Sequence, residues 1–188
     1  MINFKLLFSS IPVNLPKELL VAISQVARVE TFSKGELLVK EGQIAHRLYF
    51  LEKGTARTFY YHNAKDITSW IYRENVPLTA WYSYLDQKPS FENVEILEET
   101  SAISFLKEDL EKLYTQYPKL ERFGRKMVEQ QLSFLDAFYK GYMFMSARER
   151  YDLLLSVFPD VTLRVNLGHI ASLLGISQET LSRIRAKK

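Results

Sequence analysis

The sequence has 188 residues, no cysteine and a formal net charge of +3. Its hydrophobic content of 47% suffices for a sizeable core, so we expect one large domain or two small ones. The lack of cysteine excludes disulfides, thiolate zinc sites and a thiol nucleophile from the sequence, and it fits a cytoplasmic protein. No segment approaches the run of about 18 apolar residues that a membrane-spanning helix needs.

The positive charge is concentrated at the end of the sequence. Residues 161–188 carry a net charge of +4, which leaves about −1 for the preceding residues. A nearly neutral body with a basic end fits a protein that contacts a polyanion. A solvated basic terminus is the simpler alternative.

The first half reads as a short helix followed by strands. Residues 1–13 are expected to be a helical lead-in and not a signal peptide, and a helix is expected from Leu15 to Val29. Between Thr31 and Leu106, short β-branched and aromatic runs alternate with turn signals at Gly35, Gly42, Gly54 and Asn63. Because no helical pattern separates these runs, they predict an antiparallel β-roll and not a parallel α/β sheet.

The second half is helical. A short helix is expected over Lys107–Tyr114, and Pro118 opens a long one. Along the long helix, apolar residues recur at heptad spacing, and these are Val128, Leu132, Leu135, Tyr139 and Tyr142. Such a seam fits dimerisation of two copies, although packing against the chain's own roll would give the same pattern.

A hinge is expected near residues 144–146. Ser146 has capping-box spacing to Glu149, so a new helix should begin there and run through Val157. The expected division is therefore a sensor roll over 1–117, a dimerisation helix over 118–145 and a third unit over 146–188.

That third unit contains a helix-turn-helix pattern. Ile170, Ala171, Leu173 and Leu174 give the first helix an apolar face, and Gly175 follows where a tight turn requires positive φ. Ser177 can cap a second helix that carries polar and basic side chains. A recognition helix that enters the DNA major groove has this character, whereas an ordinary helical hairpin is the alternative.

The whole arrangement resembles the Crp/Fnr family of bacterial transcription regulators. The segments that carry the resemblance are Phe32 to Leu38, Leu48 to Gly54 and Ile170 to Arg183. The resemblance implies an α+β protein with an N-terminal antiparallel β-roll like a cyclic nucleotide-binding domain. A long dimerisation helix and a winged-helix-type helix-turn-helix would follow, with the wing short or absent.

The resemblance also implies roles for the recognition helix. Gln178, Glu179 and Arg183 match positions that touch base edges, while Ser177, Thr180 and Ser182 suit phosphate contacts or caps. The remaining basic residues would contact the DNA backbone, and these are Arg185, Lys187 and Lys188. The implied partners are a palindromic DNA operator, a second copy of the chain and RNA polymerase.

The nucleotide site departs from the family pattern. The stretch from Leu78 to Val94 lacks the glycine of the family's Phe-Gly-Glu run and the arginine that neutralises the cyclic phosphate in the family, and its one cation is Lys88. We therefore expect an effector other than cyclic AMP, or none, and no cofactor. Five residues lie nearest the equivalent of the phosphate loop, namely Tyr72, Trp81, Tyr84, Ser90 and Asn93. Plain core packing is the alternative for their aromatic members.

Two other function classes fit the sequence less well. A metal-dependent, cupin-like enzyme would need clustered histidines, whereas the roll carries only His46 and His62, far apart in sequence. An interaction adaptor that has lost both ligand and DNA binding is the second alternative, and the intact basic helix argues against it. We therefore expect a DNA-binding regulator and no enzymatic activity.

Overall fold

A computed structural model of the chain describes residues 16–186, so the lead-in expected over residues 1–13 lies outside the described residues. Two four-stranded antiparallel sheets share one core. The first has the order β1-β8-β3-β6, formed by β1 (Arg28–Phe32), β8 (Thr100–Leu106), β3 (Arg47–Lys53) and β6 (Pro77–Leu78). The second has the order β2-β7-β4-β5, formed by β2 (Leu37–Val39), β7 (Asn93–Ile96), β4 (Ala56–His62) and β5 (Lys65–Tyr72). The predicted antiparallel β-roll is confirmed.

The turn of the β4–β5 hairpin explains why β4 ends and β5 begins where they do. His62 pairs with Lys65 across a two-residue turn, and Asn63 and Ala64 both have positive φ, at 49° and 60°. Two such residues form the turn whose twist matches that of the flanking strands, and asparagine tolerates it well. The hairpin places Arg57 of β4 opposite Ile71 of β5 on one face of the sheet.

Helices cover one end of the roll and continue from it. They are α1 (Lys17–Val26), α2 (Trp81–Asp86), α3 (Lys107–Gln116), α4 (Pro118–Phe144), α5 (Ala147–Val157), α6 (Val161–Arg164), α7 (Leu167–Leu173) and α8 (Gln178–Ala186). Pro118 begins α4 as predicted. The capping box predicted at Ser146 is also present, because its hydroxyl accepts from the Glu149 N–H and the Glu149 carboxylate accepts from the Ser146 N–H.

Two sequence predictions needed correction. The first helix ends at Val26 and not at Val29, because β1 begins at Arg28, which pairs with Ser104 of the sheet. A short helix, α2, lies between β6 and β7, where no helix was predicted. Six residues are too few for helical periodicity to stand out in the sequence.

The core of the roll continues into the helices. Val94, Ile96, Ala102 and Ile103 are fully buried between the sheets. The same cluster takes in Leu19 and Ile23 of α1, Leu110 and Leu113 of α3, and Leu120, Phe123 and Met127 of α4. The first third of α4 is therefore fixed to the roll. In residues 16–186, no helix is long and apolar enough to cross a membrane.

Candidate nucleic-acid interface

The second helix of the predicted helix-turn-helix is anchored on one side and open on the other. Leu181 of α8 is fully buried, while Gln178, Glu179 and Arg183 are exposed. The Ser177 hydroxyl accepts from the Thr180 N–H at 3.2 Å, which is the predicted helix cap. The helix thus presents to solvent the three side chains that were predicted to read bases.

The other predicted DNA-contacting residues fall into two groups. Ser177, Ser182 and Arg185 are exposed, and the half-buried Thr180 places its hydroxyl 3.1 Å from that of Ser177. The described chain ends at Ala186, the last residue of α8, so Lys187 and Lys188 lie outside it, as does the place where a wing was expected to be short or absent. Hydrogen bonding from the Ser177 hydroxyl holds the pKa of the Glu179 carboxyl below its usual range, with a smaller contribution from Arg183. Glu179 is therefore ionised and able to accept from a base amine.

The turn between α7 and α8 is set by a close contact with the long helix. Gly175 has φ of +64°, and a Cβ at this position would lie 2.1 Å from the Tyr142 hydroxyl. Behind the turn, Ile170, Ala171 and Leu174 are buried as predicted. Only glycine fits a position that combines positive φ with such an approach.

The helix-turn-helix unit is bound to the outer face of the second sheet by a buried arginine. Arg57 is only 3% exposed, and its guanidinium binds both oxygens of Asp66 at 2.6 Å and an oxygen of Glu95 at 2.7 Å. Burial works against the charged form, but the hydrogen bonds to the two carboxylates outweigh it, so the pKa of Arg57 is raised. The Arg57 Nη1 also donates to the Thr68 hydroxyl at 2.9 Å. A further bond crosses to α7, where the same Nη1 lies 2.9 Å from His169 Nδ1.

This contact fixes the protonation state of His169. Because arginine has only donors, Nδ1 of His169 must accept, which requires a neutral ring with its proton on Nε2. Burial, and then the charge of Arg57, lower the pKa of His169 from 6.5, while Asp66 and Glu95 raise it and Lys34 lowers it further. The contact is therefore complete only while His169 is neutral.

A second ionic cluster binds the short helix α6 to the roll. Arg164 donates to Glu98 at 2.6 Å and to Glu74 at 2.5 Å, and more weakly to Asp160 at 3.4 Å. Hydrogen bonding to Glu74 and Glu98 raises the pKa of Arg164 in spite of burial. Glu74 also accepts from the N–H of Gly54, so this cluster reaches the turn between β3 and β4.

Apolar contacts complete the junction. Ile71 and Leu97 of the roll belong to the same buried cluster as the core of the helix-turn-helix unit, including Leu154, Val161 and Ile170. In addition, the Thr68 N–H of β5 donates to the Ser172 hydroxyl of α7 at 2.9 Å. The predicted hinge near residues 144–146 is therefore bridged by direct packing between the two units.

The long helix carries two separate apolar stripes. One faces inward, where Phe134 and Phe138 contact Trp70 with ring centroids 5.9 and 4.9 Å apart. The other is open to solvent and contains four of the five seam residues, which are Val128 (43% exposed), Leu132 (66%), Leu135 (37%) and Tyr139 (66%). The fifth, Tyr142, departs from this stripe, because its ring packs under the Arg150 guanidinium at 4.5 Å and its hydroxyl borders Gly175.

The five residues expected around an effector do not surround one cavity. Tyr72 borders a space next to Phe134 and Phe138, whereas Trp81 and Tyr84 border a separate groove next to the exposed side of α4. The Ser90 N–H donates to the Gln43 carbonyl, and the Asn93 side chain accepts from the Glu41 N–H. Both polar residues thus hold the turn between β2 and β3.

The loop that would hold a nucleotide phosphate has no buried cation. Lys88 is the one cation between Leu78 and Val94, and its side chain is 62% exposed beside Asp86. Glu92 is partly buried there, and burial raises the pKa of its carboxyl. A buried phosphate in this loop would lack a paired charge, which makes its binding unfavourable.

The junction residues were missed in the sequence because their partners are distant. Arg57 and His169 lie 112 positions apart, and Arg164 and Glu74 lie 90 apart. One local signal was available, since a charged residue within the apolar and aromatic run of β4 is unusual for a buried strand. No pattern along the chain, however, identifies its partner.

Comparison with known proteins supports the fold described above. Residues 29–117 match the family model of the cyclic nucleotide-binding domain. The whole chain is similar to the Thermus thermophilus catabolite activator protein (20% identity, 96% of this chain and 85% of that one, TM-score 0.58). It is also similar to FixK2 from Bradyrhizobium japonicum (20% identity, 86% and 84%, TM-score 0.73). A third similar structure, described as a Crp/Fnr-family transcriptional regulator, comes from Eubacterium rectale (15% identity, 90% and 82%, TM-score 0.64). No curated protein matches at a significant level.

The neutral ring of His169 makes stability depend on pH. Since its folded pKa is lowered from 6.5, its contribution is complete above that value and is lost as the pH falls through the folded pKa. In urea unfolding between about pH 7.5 and pH 5.5 we therefore expect the free energy of unfolding to fall. His169→Gln, whose amide oxygen accepts from Arg57 at every pH, should flatten the profile.

The matched control is His62→Gln, at an exposed histidine of β4 outside the junction. It should keep the wild-type pH profile. If His169→Gln and the control gave the same slope as wild type, the neutral His169 would not be a source of the pH dependence.

Proposed function

From a chain that has the fold of Crp/Fnr regulators and whose residues 29–117 match the family model of the cyclic nucleotide-binding domain, we infer a sequence-specific, DNA-binding transcription regulator. The observation that carries this proposal is the geometry of α8. Its anchor, Leu181, is fully buried, while Gln178, Glu179 and Arg183 are exposed. A helix held from behind, with donors and acceptors in front, suits the major groove.

The roles proposed for α8 follow from its side chains. Arg183 can pair bidentately with guanine, Gln178 with adenine, and the ionised Glu179 can accept from cytosine N4. Ser177 at the helix start, together with Thr180, Ser182, Arg185, Lys187 and Lys188, would contact phosphates. The first group then carries sequence specificity and the second carries affinity.

We propose that the active form is a homodimer joined along the exposed stripe of α4. A monomeric helix with side chains such as Leu132 and Tyr139 each 66% exposed leaves apolar surface in water. Two such stripes at heptad spacing would bury each other. Dimerisation also supplies the two recognition helices that a palindromic operator needs, about 34 Å apart.

The roll would then act on DNA binding through the junction at Arg57 and Arg164. A small molecule other than cyclic AMP is the proposed effector, because the phosphate loop lacks a buried cation. The second candidate is an adaptor without DNA binding. The exposed polar side chains of α8 favour the regulator, because an adaptor without DNA binding does not require donors and acceptors on this helix.

The first test concerns Arg183 on a duplex recovered from random DNA by the wild-type protein. Arg183→Ala should weaken binding to that duplex by about 1–3 kcal/mol and relax selectivity at one base position.

Removal of Lys187 and Lys188 should weaken binding to target and random DNA alike and flatten the salt dependence of binding. Binding is measured by fluorescence anisotropy at several salt concentrations.

Arg28→Ala, at an exposed arginine of β1, is the matched control and should leave both affinities unchanged. Equal losses for Arg183→Ala on target and random DNA would remove Arg183 from base recognition.

The second test concerns the α4 stripe. Leu132→Glu should convert the dimer to a monomer in sedimentation velocity, because it places a charge at the centre of the proposed apolar seam. Leu163→Glu makes the same exchange at a residue that is 87% exposed on α6, and it should leave the dimer intact. A dimer that survives Leu132→Glu would place the dimer contact elsewhere.

A further inference from the structure

A cavity of about 220 Å³ lies where the roll, the long helix and the DNA-binding unit meet, and we refer to it as the junction cavity. Its walls come from three parts of the chain. They are residues 70–73 and Val76 of the roll, Gln131, Phe134 and Phe138 of α4, and Leu154, Val157, Phe158 and Leu173 of the helix-turn-helix unit. Of the five residues expected around an effector, Tyr72 borders this cavity, whereas Trp81, Tyr84, Ser90 and Asn93 do not.

The walls combine aromatic surface with two polar groups. The rings of Trp70, Phe134 and Phe138 pack edge to face on one another or at a tilt, which gives a rigid aromatic side. Arg73 is exposed at the cavity's edge and Gln131 is half-buried. Apolar walls with a few convergent polar groups are typical of sites for small organic ligands.

The two polar side chains specify the chemistry of the occupant. Within residues 16–186, neither Arg73 nor Gln131 has a side-chain hydrogen bond or an ion pair, whereas Arg57 and Arg164, the junction's other arginines, each bind two carboxylates or more. A permanently charged guanidinium suits a carboxylate, and the amide can donate to a second oxygen. The volume of the junction cavity lies below roughly 300 Å³, where common ligand pockets begin. The occupant is therefore small, with a single ring or two fused rings.

We propose that the junction cavity binds a small aromatic carboxylate, with its ring system against Trp70, Phe134 and Phe138 and its carboxylate at Arg73. The proposed effector site therefore lies at the contact between the roll and the helix-turn-helix unit, and not in the interior of the roll. Leu154 and Leu173 of the helix-turn-helix unit contribute to the cavity walls. An occupant therefore binds the state in which this unit is docked against the roll, and not a state in which the two are separated. Its effect on DNA rests on the proposed function, whereas its binding does not.

The probe is 2-naphthoate, titrated into the full chain by calorimetry without DNA, with the neutral 2-naphthalenemethanol as the paired ligand. We expect one saturable site per chain and a preference for the acid of about tenfold, which is about 1.4 kcal/mol. Arg73→Gln should remove this preference, since Arg73 is the only charged side chain among the described residues that line the cavity. Arg122→Gln, at an exposed arginine of α4 outside the cavity, should keep it.

Location is tested by Val157→Phe, which fills the cavity and should abolish binding of both ligands. A thermal midpoint near that of wild type shows that the variant is folded, and Arg73→Gln, at an exposed position, tests the proposal independently of it. Absence of saturable binding, or binding of the acid that is unchanged in Arg73→Gln, would overturn the proposal.

A final titration measures the DNA affinity of the chain with and without 2-naphthoate. If calorimetry shows the site but the chain recovers no duplex from random DNA, the proposed function fails while the cavity assignment stands. If the duplex is recovered and calorimetry shows no site, the cavity assignment fails while the function stands.

Discussion

The buried guanidinium of Arg57 is the constraint on which the arrangement of this chain depends. A charge with 3% exposure is stable only when its donors are matched, and the partners of Arg57 come from β5, β7 and α7. Two carboxylates, Asp66 and Glu95, satisfy the charge within the sheet. The last partner, His169, belongs to α7 of the helix-turn-helix unit. The sheet face is therefore complete only when that unit is docked against it in one register.

With the helix-turn-helix unit docked, the long helix has two separate apolar stripes. Its inward stripe, through Phe134 and Phe138, contacts the roll, while Tyr142 fits the turn at Gly175. The outward stripe remains free for a second copy of the chain. Under the proposed function, a change at the junction would act on the proposed recognition helix through packed residues, and the dimer contact would convert it into a change in the spacing between two such helices.

Local patterns predicted most of the architecture and the recognition helix. Strand runs, the turn at Gly175 and the caps at Ser146 and Ser177 depend on neighbours within a few positions, and all of these are present. The features that were not predicted depend on distant partners. The Arg57–His169 contact joins positions 112 apart. Tyr142 continues the heptad spacing in sequence, but its ring packs against the Arg150 guanidinium and its hydroxyl approaches Gly175. The short helix α2 escaped detection because it spans less than two turns.

The central claim is that two docked recognition helices read one duplex, and selection from random DNA by the full chain tests it most directly. The account predicts enrichment of a palindrome whose half-sites are centred about one helical turn apart, roughly 10–10.5 base pairs. Each half-site should contain a position that Arg183 determines. Enrichment of a single isolated half-site, or of no sequence at all, would contradict the account.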